Sequence, residues 1–124
     1  IEIFLRYRKK IALKYDKELR EIEGISLPIY SKKNSSAYHL YLINLKNYNH
    51  KKKDLFIEYM KSKNIILQYH YIPIYKFKIF NDRYIGKNTE QYFKETISLP
   101  IFYGLKNNEQ NHIINSIKLF FKKK

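Results

Sequence analysis

The sequence predicts an α/β or α+β domain in which helices pack on a small sheet. Apolar residues recur every three or four positions in three segments, 1–22, 51–63 and 107–121, as expected for amphipathic helices. Two shorter runs, 38–45 and 65–71, are rich in β-branched and aromatic residues, which favours strands. A length of 124 residues with 44% hydrophobic content corresponds to one domain with a real core.

The first segment, residues 1–22, is predicted to be a helix whose other face carries Lys and Arg. Its apolar stripe is formed by Phe4, Tyr7, Ile11, Tyr15, Leu19 and Ile22. Gly24 follows as a residue that tolerates the left-handed conformation past a helix end. Residues 27–30 should be extended, because Pro28 disfavours helix in the residue before it. A polar loop is predicted for residues 31–36.

The middle of the chain is predicted to form a strand, a helix and a second strand. Residues 38–45 form the first strand. The helix spans residues 51–63, with Asn64 in the left-handed cap position. Its buried face is predicted to comprise Leu55, Phe56, Tyr59 and Met60. The second strand covers residues 65–69.

The last third begins with an irregular, polar stretch at residues 76–87. A short helix should then start at Asn88, with Gln91 three residues later in capping-box spacing. A short strand is predicted to follow, before the last helix. Asn107 and Gln110 repeat the capping spacing before the last helix. The apolar stripe of that helix is Ile113, Ile114, Ile117, Phe120 and Phe121.

The formal charge of +14 would usually indicate a nucleic acid or an anionic surface as partner. Most of the basic residues are Lys, however, which lacks the bidentate fork that reads bases and phosphates. The Lys51–Lys53 run lies at a predicted helix start, and most tyrosines fall on apolar stripes. A basic binding module is therefore kept as an alternative function, and nucleic acid is not the expected partner.

Several classes of site find no support in the residues. The chain has no Cys, only three isolated Gly, and no Ser in a nucleophile elbow, which disfavours thiolate, nucleotide-loop and hydrolase chemistry. The four His lack metal-pair spacing, so no metal is expected. No apolar run reaches the roughly 18 residues of a membrane span, and no signal peptide opens the chain. We expect a cytoplasmic protein. Because the first residue is Ile and not Met, the chain is expected to be a piece of a longer protein or a processed product.

Two histidines are candidates for function, His39 and His70. Each lies in a predicted strand, and a titratable ring among apolar residues must find a hydrogen-bond partner or face a cleft. If the two strands are neighbours, both rings could lie on one side of the sheet. Buried histidines bonded to the backbone are the structural alternative. Pro73 should stop the second strand and direct Tyr75 elsewhere.

An ordered set of short motifs carries a resemblance to a known family. The motifs are Ser36-Ala-Tyr-His39-Leu-Tyr, Asn64-Ile, His70-Tyr-Ile-Pro73-Ile-Tyr75, Thr89-Glu-Gln-Tyr-Phe, Ser98-Leu-Pro100, and Leu105 with Glu109-Gln110. Together they resemble the C-terminal small domain of the DegT/DnrJ/EryC1/StrS sugar aminotransferases. Within that family they are most similar to the C4 aminotransferases of pseudaminic acid synthesis. The resemblance covers nearly the whole chain. It implies that residues 1–124 form one small domain, with residues 1–22 as the helix that links it to a large domain.

The resemblance implies a pyridoxal 5′-phosphate (PLP) enzyme of the aspartate-aminotransferase fold. Such an enzyme moves an amino group from glutamate to a nucleotide-linked 4-keto-6-deoxy sugar, in a site between the subunits of a homodimer. His70 would face the cofactor and the substrate. Tyr71, Pro73 and Tyr75 would shape the sugar end of the pocket, and His39 would stand in a matching strand of the family.

The departures from the family concern the catalytic parts. The catalytic lysine of the family is followed by a Gly-Glu-Gly-Gly-like turn, which three isolated glycines cannot supply. PLP would therefore be held mainly by a large domain that this chain does not include, and the chain alone is expected to be inactive. Apolar surface should be exposed, above all on helix 1–22. A remnant that keeps its fold without activity is a further alternative.

Overall fold

The computed structural model describes residues 1–30, 36–80 and 85–122. The helices are α1 (Glu2–Leu19), α2 (His50–Ser62), α3 (Lys87–Glu95) and α4 (Asn107–Lys122). The strands are β1 (Ile25–Ser26), β2 (Tyr41–Leu45) and β3 (Thr96–Leu99). There are two 3₁₀ turns, Ile74–Lys76 and Lys78–Phe80. The second lies in the stretch 76–87 that was predicted to be irregular, and the first ends where that stretch begins. Most of the predicted loop 31–36 and residues 81–84 fall outside the described residues.

The three strands form an antiparallel sheet in the order β1-β2-β3. In β2, alternate residues face the core, Tyr41, Ile43 and Leu45, as the strand period of two requires. Every residue of β3 is buried, because β2 lies on one side of it and the chain around Gln68 on the other. The predicted α+β class with helices on a small sheet is confirmed.

The predicted strand at residues 65–69 is wrong. This segment makes a single antiparallel bridge to the sheet, between Gln68 and Ser98, with the Ser98 N–H donating to the Gln68 carbonyl at 3.0 Å. A longer ladder is prevented because β3 ends at Leu99 and Pro100 has no N–H to donate. Ile65 and Leu67 still point into the core, which explains the alternating pattern in the sequence.

The turn after α1 depends on Gly24. The helix ends at Leu19, three residues before its predicted end, and the chain turns back through Gly24 at φ +91°. Its carbonyl accepts from the Lys46 N–H at 2.9 Å, which starts the pairing of β1 with β2. Strand pairing therefore falls just before the segment 27–30 that was predicted to be extended.

Helix ends agree only in part with the predicted caps. Asn64 is left-handed, φ 60°, as expected after α2. The Asn88 start is wrong, because α3 begins at Lys87 with Gly86 before it and no side-chain cap. The cap of α4 is displaced by one residue: Glu109 accepts from the Lys106 N–H at 2.7 Å.

The core lies between the helices and the sheet. α1 and α4 pack against each other, and α2 packs on α3 and α4. Burial of each large apolar side chain stabilises the fold by about 1.5–3 kcal/mol. The buried members of the predicted stripes are Ile11, Tyr15, Leu19, Phe56, Met60, Ile113, Ile114 and Ile117. Leu55 was predicted to be buried and is 54% exposed, because Lys53 takes the inner position beside Phe56 and Met60.

Large apolar side chains are also exposed in two regions. The start of α1 exposes Ile1, Ile3 and Phe4, in agreement with the expectation for helix 1–22. Between positions 66 and 80 several more are open to solvent, including Ile72 and Ile79. In the described ranges, no helix combines the length and the apolar character that crossing a bilayer requires.

Candidate functional site: a histidine cleft beside β3

His70 is buried next to β3, with 6% of its surface exposed. Its Nε2 lies 2.7 Å from the Ser98 Oγ. The bridge between Gln68 and Ser98 brings the two side chains together, because it holds the end of the 65–70 segment beside the middle of β3. The His70–Tyr71 peptide bond is cis. The expectation that the ring of His70 needs a polar partner is met by a side-chain hydroxyl.

A cleft of about 430 Å³ opens beside this pair, and we call it the His70 cleft. Its walls come from α1, from the residues before β2, from residues 66–71 and from the β3–α4 connection. Polar side chains in the lining are Arg8, His39, Gln68, His70 and Ser98. A volume of this order is typical of small-molecule sites.

His39 and His70 both line this cleft, but not as the sequence suggested. β3 stands between β2 and the 65–70 segment, so the two histidines are not on neighbouring strands. His39 precedes β2 and is exposed. Burial lowers the pKa of His70, and the nearby His39 lowers it further. The His70 imidazole is therefore neutral near neutral pH, a form that can both donate and accept a hydrogen bond.

The other predicted site residues lie on two sides of His70. Tyr71 lines the cleft, is 70% exposed, and sets its ring edge-on to the His70 ring at 4.6 Å. Pro73 is buried and precedes the first 3₁₀ turn. The Tyr75 hydroxyl donates to the Glu90 Oε1 on α3 at 2.9 Å. Pro73 and Tyr75 do not line the His70 cleft.

Three polar residues of the cleft are absent from the predicted site, Gln68, Ser98 and Arg8. Ser98 interrupts the apolar run Ile97–Ile101, and this was the available signal. Arg8 lies in the charged majority of α1, where periodicity distinguishes no single cation. Its place in the cleft follows from the packing of α1 beside the β3–α4 connection, where the Tyr7 hydroxyl donates to the Leu105 carbonyl at 2.9 Å.

A second hollow of about 530 Å³ adjoins α4, and its two titratable members, Glu109 and His112, already have partners. Glu109 accepts from the Lys106 N–H, and the His112 Nε2 lies 2.8 Å from the Lys63 carbonyl oxygen. Most of the remaining lining is apolar. Among the described residues, no cluster of three His, Asp or Glu side chains could hold a metal ion.

Lys53 supports the segment that carries His70. It is fully buried, and its Nζ lies 4.5 Å from the ring centroid of Tyr69 and 4.6 Å from that of Phe93. It also donates to the Phe93 carbonyl. The Lys51–Lys53 run is thus not a continuous basic surface, and this weakens the case for a nucleic-acid interface.

The profile of the DegT/DnrJ/EryC1/StrS aminotransferase family matches residues 1–118. The chain belongs to this family. Its resemblance through the His70 and Ser98 motifs is thereby confirmed at the level of the family. In the folded chain, the side chains of His70 and Ser98 from these two motifs make a hydrogen bond beside the His70 cleft.

Two curated relatives are similar to this DegT/DnrJ/EryC1/StrS chain over most of its length. An uncharacterised protein of Methanocaldococcus jannaschii is 30% identical over 124 residues, which is 94% of this chain and 32% of that protein. The spore coat polysaccharide biosynthesis protein SpsC of Bacillus subtilis is 22% identical over 90% of this chain and 30% of its own length. The chain spans about a third of the length of both relatives.

Solved structures of aminotransferases share the fold. Helicobacter pylori PseC, an aminotransferase of pseudaminic acid biosynthesis, is 26% identical with a TM-score of 0.89, over 99% of this chain and 34% of that chain. A sugar aminotransferase of Streptococcus pneumoniae solved in its PLP form is 22% identical, with a TM-score of 0.85, over 98% of this chain and 32% of its own.

Proposed function

We propose that this chain is the C-terminal part of a PLP-dependent aminotransferase that moves an amino group from glutamate to a nucleotide-linked 4-keto-6-deoxy sugar. Within the family, the sugar is proposed to be of the type used in pseudaminic acid or surface polysaccharide synthesis. Two findings support this choice, the 26% identity with PseC and the relationship to a spore coat polysaccharide protein. The active enzyme is proposed to be a cytoplasmic homodimer.

The observation that carries the proposal is the neutral, nearly buried His70 held by Ser98 at the edge of an open cleft. A ring in this state is oriented before any substrate arrives, since its Nε2 is already engaged. Its other nitrogen, Nδ1, is buried and has no partner among the described residues, and we propose that it bonds to a substrate hydroxyl or carbonyl oxygen once the walls of the cleft adjust to the ligand. Tyr71, which is exposed beside it, offers an aromatic face and a phenol to a sugar ring.

PLP, when bound, supplies the electron sink for the transfer. The residues that line the His70 cleft do not fit its covalent attachment, because no lysine of the described chain is among them. Attachment is therefore proposed to belong to the rest of a longer protein. The role proposed for this chain is to bind and orient the substrate with His70, Tyr71 and His39. Pro73 and Tyr75 lie outside the His70 cleft, and we propose that they shape the sugar end of the larger pocket of the longer protein.

The test begins with the coding sequence upstream of Ile1. We expect an in-frame lysine followed by a Gly-Glu-Gly-Gly-like turn. The protein encoded by the longer frame should then form 2-oxoglutarate from glutamate when a nucleotide-linked 4-keto-6-deoxy sugar is supplied. Absence of this transfer with every such sugar offered would refute the proposed function.

A matched pair of variants tests the role of His70 in that protein. His70→Gln should lower kcat/KM for the sugar about 2–10-fold, as expected for loss of a hydrogen bond between neutral groups of about 0.5–1.5 kcal/mol. His112→Gln is the control, because His112 is exposed on α4 and does not line the His70 cleft. Equal kinetics for the two variants would remove His70 from the site.

A further inference from the structure

The segment that carries Tyr71 has few anchors in the core. Within the described residues 71–80, Pro73 alone is buried. A stretch with so little buried apolar surface opens at low cost, so its position depends on its polar contacts. Before Tyr71, the bond between His70 and Ser98 fixes the chain. After Tyr71, the first 3₁₀ turn contacts α3.

Glu90 on α3 holds this turn with both oxygens of its carboxylate. Its Oε1 accepts from the Tyr75 hydroxyl at 2.9 Å, and its Oε2 accepts from the Lys76 Nζ at 3.1 Å. Only 16% of the Glu90 side chain is exposed. Lys76 lowers the pKa of Glu90, and so does Tyr75, against the effect of desolvation, so the carboxylate is charged near neutral pH. Hydrogen bonds to a charged group are stronger than those between neutral groups.

Other contacts keep α3 close to the same segment. The ring centroids of Phe93 on α3 and Tyr69 lie 6.3 Å apart, and the Lys53 Nζ lies over both rings. Burial raises the pKa of Tyr92 on α3, and the nearby Tyr71 raises it further. Because α3 is fixed next to Tyr71, a contact from α3 can determine where Tyr71 lies.

Glu90 itself does not line the His70 cleft, so an effect of Glu90 on a ligand must pass through the residues that it holds. We infer that Glu90 is a positioning residue, which anchors Tyr75 and Lys76 to α3 and thereby keeps Tyr71 beside the His70 cleft. That a sugar ring meets Tyr71 there rests on the proposed function. Without Glu90, Tyr71 is held only from the His70 side and leaves the position in which it would contact the sugar.

The first experiment observes the rings of His70 and Tyr71 by NMR in the 124-residue chain. Their centroids lie 4.6 Å apart, so their ring protons should show a nuclear Overhauser effect. Glu90→Ala should abolish or strongly weaken this effect. Glu95→Ala is the control and should leave it unchanged, because Glu95 lies on the same helix and accepts from Gln91 within that helix. The amide spectrum of each variant reports whether it is folded.

A second variant decides the case if Glu90→Ala does not fold. Tyr75→Phe combined with Lys76→Met removes both donors to Glu90 from a turn that has no buried residue. This double variant should weaken the same Overhauser effect between His70 and Tyr71. A folded variant of either kind that keeps the effect at the strength of the unchanged chain overturns the inference.

The second experiment uses the longer protein and separates this inference from the proposed function. Glu90→Ala should lower kcat/KM for the sugar about 2–10-fold, the range expected for loss of a contact between neutral groups, and leave kcat/KM for glutamate unchanged. A purely structural role would lower both values equally, and that result overturns the inference, as does an unchanged kcat/KM for the sugar. Either result leaves the function standing. An enzyme that transfers no amino group refutes the function, while the NMR experiment still decides whether Glu90 holds Tyr71.

Discussion

Replacing Lys53 by Met should change the pH dependence of folding stability. Lys53 is fully buried on α2, beneath the rings of Tyr69 and Phe93. Burial lowers its pKa from 10.5 to about 8, an effect that the carboxylate of Asp54 opposes. Met has a similar length without the charge, so the variant removes the titration while it keeps most of the packing.

The sign follows from the protons bound in each state. Between about pH 8 and 10.5 the unfolded chain keeps the proton of Lys53 and the folded chain has released it, so stability rises with pH. Below about pH 8 both states are protonated, and the full cost of the buried charge is present. A pKa lowered from 10.5 to about 8 corresponds to about 3 kcal/mol. The two rings and the Phe93 carbonyl favour the charged form, so this value is an upper bound.

The assay is urea unfolding of both proteins at several pH values from about 7 to 10.5. The stability of the unchanged chain minus that of Lys53→Met should increase with pH by up to about 3 kcal/mol. Taking this difference cancels the titrations that the two proteins share. Tyr69, beside Lys53, stays neutral in the folded chain over this pH range, because burial and Asp54 raise its pKa to about 12. Lys52→Met is the control, because Lys52 is exposed and its curve should run parallel to that of the unchanged chain. A difference that is flat or that falls with pH would refute the reasoning.

Two further predictions concern the turn after α1 and the histidine pair. Gly24→Ala should destabilise the fold by about 1–2 kcal/mol from its left-handed backbone, plus the cost of moving Phe121, whose Cε1 would lie 3.2 Å from the new Cβ. Gly104 also has a positive φ, but no atom lies within 4 Å of a Cβ added there, so Gly104→Ala is the control. Equal losses of thermal stability in the two variants would contradict the contact with Phe121. His39→Ala should raise the pKa of His70 toward its ordinary value, because it removes a neighbouring charge. An NMR titration of His70 that does not move would show that the two rings do not interact.

Periodicity located the helices because it is a local property of the chain. The stripes on α1 and α4 were confirmed, since residues three and four apart share a face wherever the helix packs. The predicted strand at residues 65–69 was wrong because strand pairing is not a local property of the chain. Its alternating residues do face the core, but a strand also needs a partner with free N–H and carbonyl groups, and β3 offers only one bridge.

In the candidate site, too, the sequence predicted some features and the tertiary structure decided the others. His70 stood out in the sequence because a polar ring in an apolar run needs an explanation, and its motif was part of the family resemblance. The contacts of its neighbours followed from the fold: Tyr71 remained beside His70, whereas Tyr75 turned to Glu90 on α3. The roles proposed for these residues in binding substrate stay predictions.

The sequence by itself determined the class of fold, the helical segments, the family and the histidine that deserves mutation. Tertiary structure alone decided that Ser98 holds His70, that Arg8 and His39 reach the same cleft, and that Lys53 is inside. The physical reason is that secondary-structure periods and motifs act over a few residues. Contacts such as His70 with Ser98, 28 positions apart, are selected by the packing of whole elements around a shared core.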